Sequence, residues 1–96
     1  MYQIYPVSEV VGESTAWGGA DISHQVVCPM CRSNFAHPSN VRQVSSDDSY
    51  RAGWPGRGDL TVLGFEGECG HDWEICFGFH KGEVFTFARV LGDEVP

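Results

Sequence analysis

The stretch Cys69-Gly-His-Asp-Trp-Glu-Ile-Cys-Phe-Gly-Phe-His-Lys-Gly82 decides the fold. From Asp72 onward its side chains alternate, with Trp73, Ile75, Phe77 and Phe79 on one face and Asp72, Glu74, Cys76 and His80 on the other. A period of two is the signature of a strand, in which successive side chains point to opposite sides. Lys81-Gly82 suits the tight turn of a hairpin, so a strand over 72–79 returns as another over 84–91. Residues 60–66 supply a third strand upstream. The expectation is an antiparallel three-stranded meander whose apolar face carries Trp73, Ile75, Phe77 and Phe79, joined by Leu63, Phe65, Phe85 and Phe87.

Upstream the pattern weakens. Residues 2–11 are rich in aromatic and β-branched types, as in a strand that Pro6 confines to an edge or interrupts. Residues 12–19 read as a loop and 21–27 as a short strand leading to Cys28. Residues 32–54 show no sustained period and contain Ser45-Ser-Asp-Asp-Ser49, a solvated, turn-forming run. Gly53-Trp-Pro-Gly-Arg-Gly-Asp59 is a dense turn signal separating this part from the meander.

A chain of 96 residues suits one domain with one modest core. At 42% hydrophobic it has enough apolar content to fold, and 12 glycines with 5 prolines favour strands and turns over long helices, so the fold class expected is all-β. The formal net charge of -7 gives an average field that repels polyanions, which disfavours nonspecific DNA binding. The first residues lack the basic and apolar blocks of a secretion leader, and no segment is long and apolar enough to span a bilayer. A cytoplasmic protein is expected, in which paired cysteines bind metal or do redox chemistry rather than form disulfides.

Two short motifs then stand out, Cys28-Pro-Met-Cys31 and Cys69-Gly-His71. Two residues between cysteines let a tight turn aim both sulfurs inward, and Pro29 stiffens that turn. Residues two apart on an extended chain point to the same side, and Gly70 leaves room for a bend, so Cys69 and His71 can chelate together. Thiolate and imidazole are the usual donors of a structural zinc site. The expected ligands of one Zn²⁺ are therefore Cys28, Cys31, Cys69 and His71, with His37 as the competing fourth ligand. Cys76 is set aside because a strand from Asp72 would carry it roughly 23 Å from Cys69. His24 and His80 read as surface or hydrogen-bonded histidines, and Glu66 and Glu68 as solvated carboxylates.

Other motifs carry less. A thioredoxin-like dithiol needs a helix starting at the cysteine pair, which Arg32-Ser-Asn-Phe-Ala-His-Pro38 does not support. A zinc deaminase needs His-x-Glu, and His24-Gln-Val26 lacks the glutamate. Arg57-Gly-Asp59 reads as a polar turn, and Gly53 to Gly58 lacks the ending of a phosphate loop.

The combination of Cys28-Pro-x-Cys31, Gly67-Glu-Cys-Gly-His71 and Gly78-Phe-His-Lys-Gly82 resembles small zinc-ribbon proteins of actinobacteria and their phages. The resemblance covers mainly residues 28–31 and 57–90. It implies a compact zinc ribbon with Cys28, Cys31, Cys69 and His71 in the ligand positions, and it brings no activity with it. Glu66 stands where related ribbons extend the second knuckle with a cysteine.

Three functions compete on these grounds. A noncatalytic zinc ribbon that binds another protein agrees with the acidic surface and the lack of a catalytic constellation. A nucleic-acid-binding ribbon would rely on Arg32, Arg42, Arg51, Arg57 and Lys81 around exposed aromatics. A zinc hydrolase would hold the ion with the three cysteines, keep one position for water, and use His71 or Glu68 as base. The first is favoured.

Overall fold

The computed structural model describes residues 2–15 and 23–91. They form seven strands, β1 (Tyr2–Tyr5), β2 (Val11–Thr15), β3 (Ser23–Val26), β4 (Ala36–Val44), β5 (Leu60–Gly67), β6 (Asp72–His80) and β7 (Glu83–Leu91), with one 3-10 turn over Val7–Val10. The fold is all-β. Five strands make one antiparallel sheet in the order β1-β7-β6-β5-β4, and β2 and β3 make a separate two-stranded sheet.

The expected meander is its centre. Trp73 lies opposite Phe65 and Val90, and His80 lies opposite Glu83 across a two-residue turn. Lys81 and Gly82 both have positive φ, 51° and 85°, the combination whose twist matches the flanking strands.

Both faces of this sheet are covered over part of their area, which corrects the one-sided core expected from alternation. On the first face Trp73, Ile75, Ala88 and Val90 pack with Val10, Val11, Val26 and Cys28, so the β2–β3 layer and the cysteine turn sit over one end of it. Phe77 and Phe79 share that face but lie beyond the cover, 36% and 44% exposed. On the second face Leu60, Val62 and Cys76 are fully buried. Phe87 and Phe85 belong here too, opposite Cys76 and Gly78, and not with Trp73 as expected. The reason is register: a turn of two residues fixes which side every β7 residue takes.

The loop between β4 and β5 covers this second face. Trp54 stacks on Phe87 at 6.0 Å between ring centroids, and its Nε1 donates to the Phe79 carbonyl at 3.0 Å. The indole needs Gly78 beneath it, because a Cβ there would stand 2.4 Å from Trp54 Cε2. Nearby, fully buried Arg89 donates through Nε to Glu74 Oε1 at 2.7 Å and stacks on the Tyr2 ring, while Arg42 reaches Glu74 Oε2 at 3.1 Å from its exposed side.

Three upstream expectations change. Pro6 does break the N-terminal stretch, but into β1, a 3-10 turn and β2, and β1 joins the main sheet beside β7. Residues 36–44, expected within a turn-rich region, form the nine-residue strand β4 along β5. It carries no apolar alternation because it is an edge strand whose side chains are mostly exposed on both faces. Pro38 and a register irregularity before Asn40 fit such an edge. The loop expected over 12–19 is strand as far as Thr15, and 16–22 fall outside the described residues. β3 begins at Ser23, within the strand expected over 21–27.

Candidate metal centre

The chain turns sharply after β3. Arg32 N–H donates to the Cys28 carbonyl at 2.9 Å, and Cys28 N–H donates to the Ser33 carbonyl at 2.8 Å, closing residues 28–33 into a knuckle. Arg32 takes the left-handed conformation with φ 66°, which a side chain rarely adopts and which the two backbone bonds hold. Inside the knuckle Met30 N–H points at Cys28 Sγ from 3.4 Å. Backbone N–H groups aimed at sulfur favour the thiolate that a metal needs.

The second knuckle joins β5 to β6. Gly67 N–H donates to the His71 carbonyl at 2.8 Å and Gly70 N–H to the Gly67 carbonyl at 3.0 Å. Gly70 supplies φ 91° at the bend, with open space around it, so conformational freedom rather than crowding makes glycine suitable. Glu68 N–H bonds to the Phe35 carbonyl at 2.8 Å, tying this turn to the segment that follows the first knuckle.

These two turns bring one donor atom each from Cys28, Cys31, Cys69 and His71 within 4.8 Å of one another. His71 presents Nδ1, which lies 3.5 Å from both Cys28 Sγ and Cys69 Sγ. A Zn–S bond of about 2.3 Å and a Zn–N bond of about 2.0 Å at a tetrahedral angle put sulfur and nitrogen about 3.5 Å apart, the spacing seen here. The same construction puts sulfurs about 3.8 Å apart, so no pair of sulfurs would close by more than roughly 1 Å. Three sulfurs and one imidazole nitrogen thus form a group that could hold a metal ion.

The thiols differ in surroundings. Cys28 is fully buried, and burial raises its pKa against the opposing pull of the Cys31 and Met30 N–H groups. Cys31 is exposed, and its pKa is lowered first by the Ser33 N–H and then by the Cys69 thiol. One sulfur is therefore rooted in the core beside Trp73 while Cys31 and Cys69 face outward.

The remaining candidates lie elsewhere. His37 Nε2 is 2.9 Å from Glu68 Oε2, an exposed pair outside the cluster. Cys76 sits on the second face of β6, where burial pushes its thiol up to about 11. His24 Nδ1 is 3.0 Å from the Gly12 carbonyl, and His80 Nδ1 accepts the Arg57 N–H at 3.0 Å. Of the five cations offered for nucleic acid, Arg32 reaches the Glu9 carbonyl and Arg42 is held by Glu74. The backbone donors of Met30 and Ser33 went unforeseen, since the sequence offers no sign of them beyond following a Cys-x-x-Cys pair.

Comparison with family models, with curated proteins and with solved structures finds no match to this chain.

Proposed function

We propose that the chain is a noncatalytic zinc-binding domain that serves as a protein-interaction module. The observation that carries the reading is the convergence of three sulfurs and His71 Nδ1 from two knuckles distant in sequence. Such a donor set is that of structural Zn²⁺, and four protein donors leave no position for a reacting water. Glu68, the carboxylate a hydrolase would need as base, is engaged by His37.

The ion would tie together two turns that lie far apart in sequence. Cys28 and Cys31 end the β3 layer, while Cys69 and His71 open β6, so one Zn²⁺ pins the upper layer to the sheet and holds Trp73 beneath it. The likeness to actinobacterial and phage zinc ribbons belongs to this reading, as does a cytoplasmic setting, where thiolates stay reduced. Among the described residues no helix is long and apolar enough to cross a membrane.

Metal analysis of the purified chain tests the proposal. Wild type and His37→Ala should each carry one zinc, and His71→Ala should bind it more weakly. Cobalt substitution should give the spectrum of a closed three-sulfur, one-nitrogen site that added anions leave unchanged. A metal-free wild type, or an anion-sensitive spectrum, would overturn the reading.

A further inference from the structure

The candidate metal centre has an inside and an outside. Cys28 is fully buried in the cluster that holds Val10 and Trp73, and its Sγ has Met30 N at 3.4 Å and His71 Nδ1 at 3.5 Å. Cys31 and Cys69 are exposed, and they stand on different knuckles with their sulfurs within 4.8 Å of each other. Cys76, the remaining cysteine of the chain, is buried on the second face of β6. A solute arriving from solution therefore meets two sulfurs and no third.

We infer that this outward pair makes the centre a redox switch: hydrogen peroxide oxidises Cys31 and Cys69 to a disulfide, zinc leaves, and the new bond ties the two knuckles that the ion had tied. The inference rests on the zinc-binding reading and adds how that site is regulated.

The reaction closes on these two residues. Zinc-bound sulfur is already deprotonated, so the nucleophile is in place. Taking Cys31 first, its Sγ attacks one peroxide oxygen; an S–O bond forms, the O–O bond breaks, and the departing hydroxide takes a proton from solvent and leaves as water. Cys69 Sγ then attacks the sulfenic sulfur; the S–S bond forms, the S–O bond breaks, and a second hydroxide leaves as water with a second solvent proton. Two electrons pass from the two sulfurs to one peroxide. With two of its four donors consumed, the ion keeps only Cys28 and His71, too few for a structural site, and passes into water.

Geometry selects this pair. Sulfurs that share a zinc are about 3.8 Å apart and a disulfide needs about 2.05 Å, so the pair closes by roughly 1.8 Å. Gly70, next to Cys69, has open space beside it, and Met30, next to Cys31, is 48% exposed, so the movement displaces no core. Pairing Cys28 with either would instead draw a sulfur out from among Val10 and Trp73.

Charge selects the oxidant. Three thiolates outweigh one Zn²⁺, Glu66 and Asp72 face each other across β5 and β6, and the whole chain carries -7. An anionic disulfide such as oxidised glutathione is repelled from such a site, and neutral peroxide is not.

The test treats the zinc-loaded full chain with hydrogen peroxide beside a weak chromogenic zinc chelator, and maps the products by alkylation and mass spectrometry. Zinc should be released in step with one Cys31–Cys69 disulfide per chain, Cys28 and Cys76 should still alkylate after unfolding, and dithiothreitol with added zinc should reverse the change. Oxidised glutathione at the same concentration should release zinc at least about 10-fold more slowly. Amide exchange in residues 28–33 should be slower in the peroxide-treated chain than in reduced chain stripped of metal, since only the former keeps a tie between the knuckles. Zinc retained under peroxide, a Cys28–Cys31 or intermolecular disulfide in place of Cys31–Cys69, equal rates with the two oxidants, or exchange as fast as in the stripped chain would overturn the inference. A chain that forms the Cys31–Cys69 disulfide but never held zinc would remove the metal reading and leave the pairing standing.

Discussion

Replacing Glu74 by alanine would strand a cation inside the protein. The Arg89 side chain is completely inaccessible and Glu74 is 8% exposed, with the Nε–Oε1 contact at 2.7 Å. Without the carboxylate, the guanidinium keeps, among the described residues, the Ala52 carbonyl and the Tyr2 ring. Breaking a buried pair by removing one partner costs about 3–5 kcal/mol, because the remaining charge has lost water without compensation. Arg42 binds the same carboxylate from a side chain 43% exposed, where solvent screens the pair, and its removal should cost about 1 kcal/mol or less. A domain of this size is stable by roughly 5–15 kcal/mol, so Glu74→Ala removes about a fifth of the total or more. Urea unfolding of zinc-loaded protein measures the difference. With an m-value of about 1.3 kcal/mol/M, the midpoint should fall by about 2–4 M for Glu74→Ala and by under about 1 M for Arg42→Ala. The double variant Glu74→Leu with Arg89→Met should regain most of the loss, since it leaves no buried charge. Equal shifts for the two single variants would refute the reasoning.

Three further outcomes follow from other parts of the fold. The Cys76 thiol is held up to about 11 by burial against an ordinary 9.0, so between those values the native state keeps a proton that the unfolded chain releases. Stability should therefore fall as pH rises from 9 to 11, by roughly 2–3 kcal/mol for this group, and denaturation of Cys76→Val against wild type across that range should show a shallower alkaline loss. Gly78→Ala drives a Cβ into the Trp54 indole and should cost about 1–3 kcal/mol, seen as a lowered melting temperature with altered tryptophan fluorescence. If the cysteine cluster holds the proposed ion, its chelation should loosen the knuckle over Trp73, read as faster amide exchange in residues 26–33 while β5 to β7 keep their protection; uniform loss across all strands would contradict that division.

The meander was legible because three signals agreed at one place: alternation through Trp73 to Phe79, a turn pair at Lys81-Gly82, and strong β-formers after it. Each half of the Cys28, Cys31, Cys69 and His71 cluster was legible from spacing, because a turn is local geometry, but that the two halves meet depends on how β3 and β6 pack. β4 was not, since an edge strand exposed on both faces has no burial to imprint on its sequence. Alternation also cannot say what covers a face. It placed Phe77 and Phe79 with Trp73 correctly in space, yet only the extent of the β2–β3 layer decides that they stay bare. The seat of Trp54 over Gly78 depends on a loop whose residues reveal that it turns but not where it goes.

The pairing of β1 with β7 places Tyr2 directly across from Leu91, about one strand spacing apart. The described chain thus enters and leaves the sheet along neighbouring lines, and its connectivity is close to a closed ring. A short linker joining those strands, with new ends cut at the exposed Lys81-Gly82 turn, should preserve every strand pairing while moving the break to the far side of the sheet. Such a permutant should keep its circular dichroism spectrum. The same closeness lets the domain be set into a surface loop of a host protein without prising that loop apart.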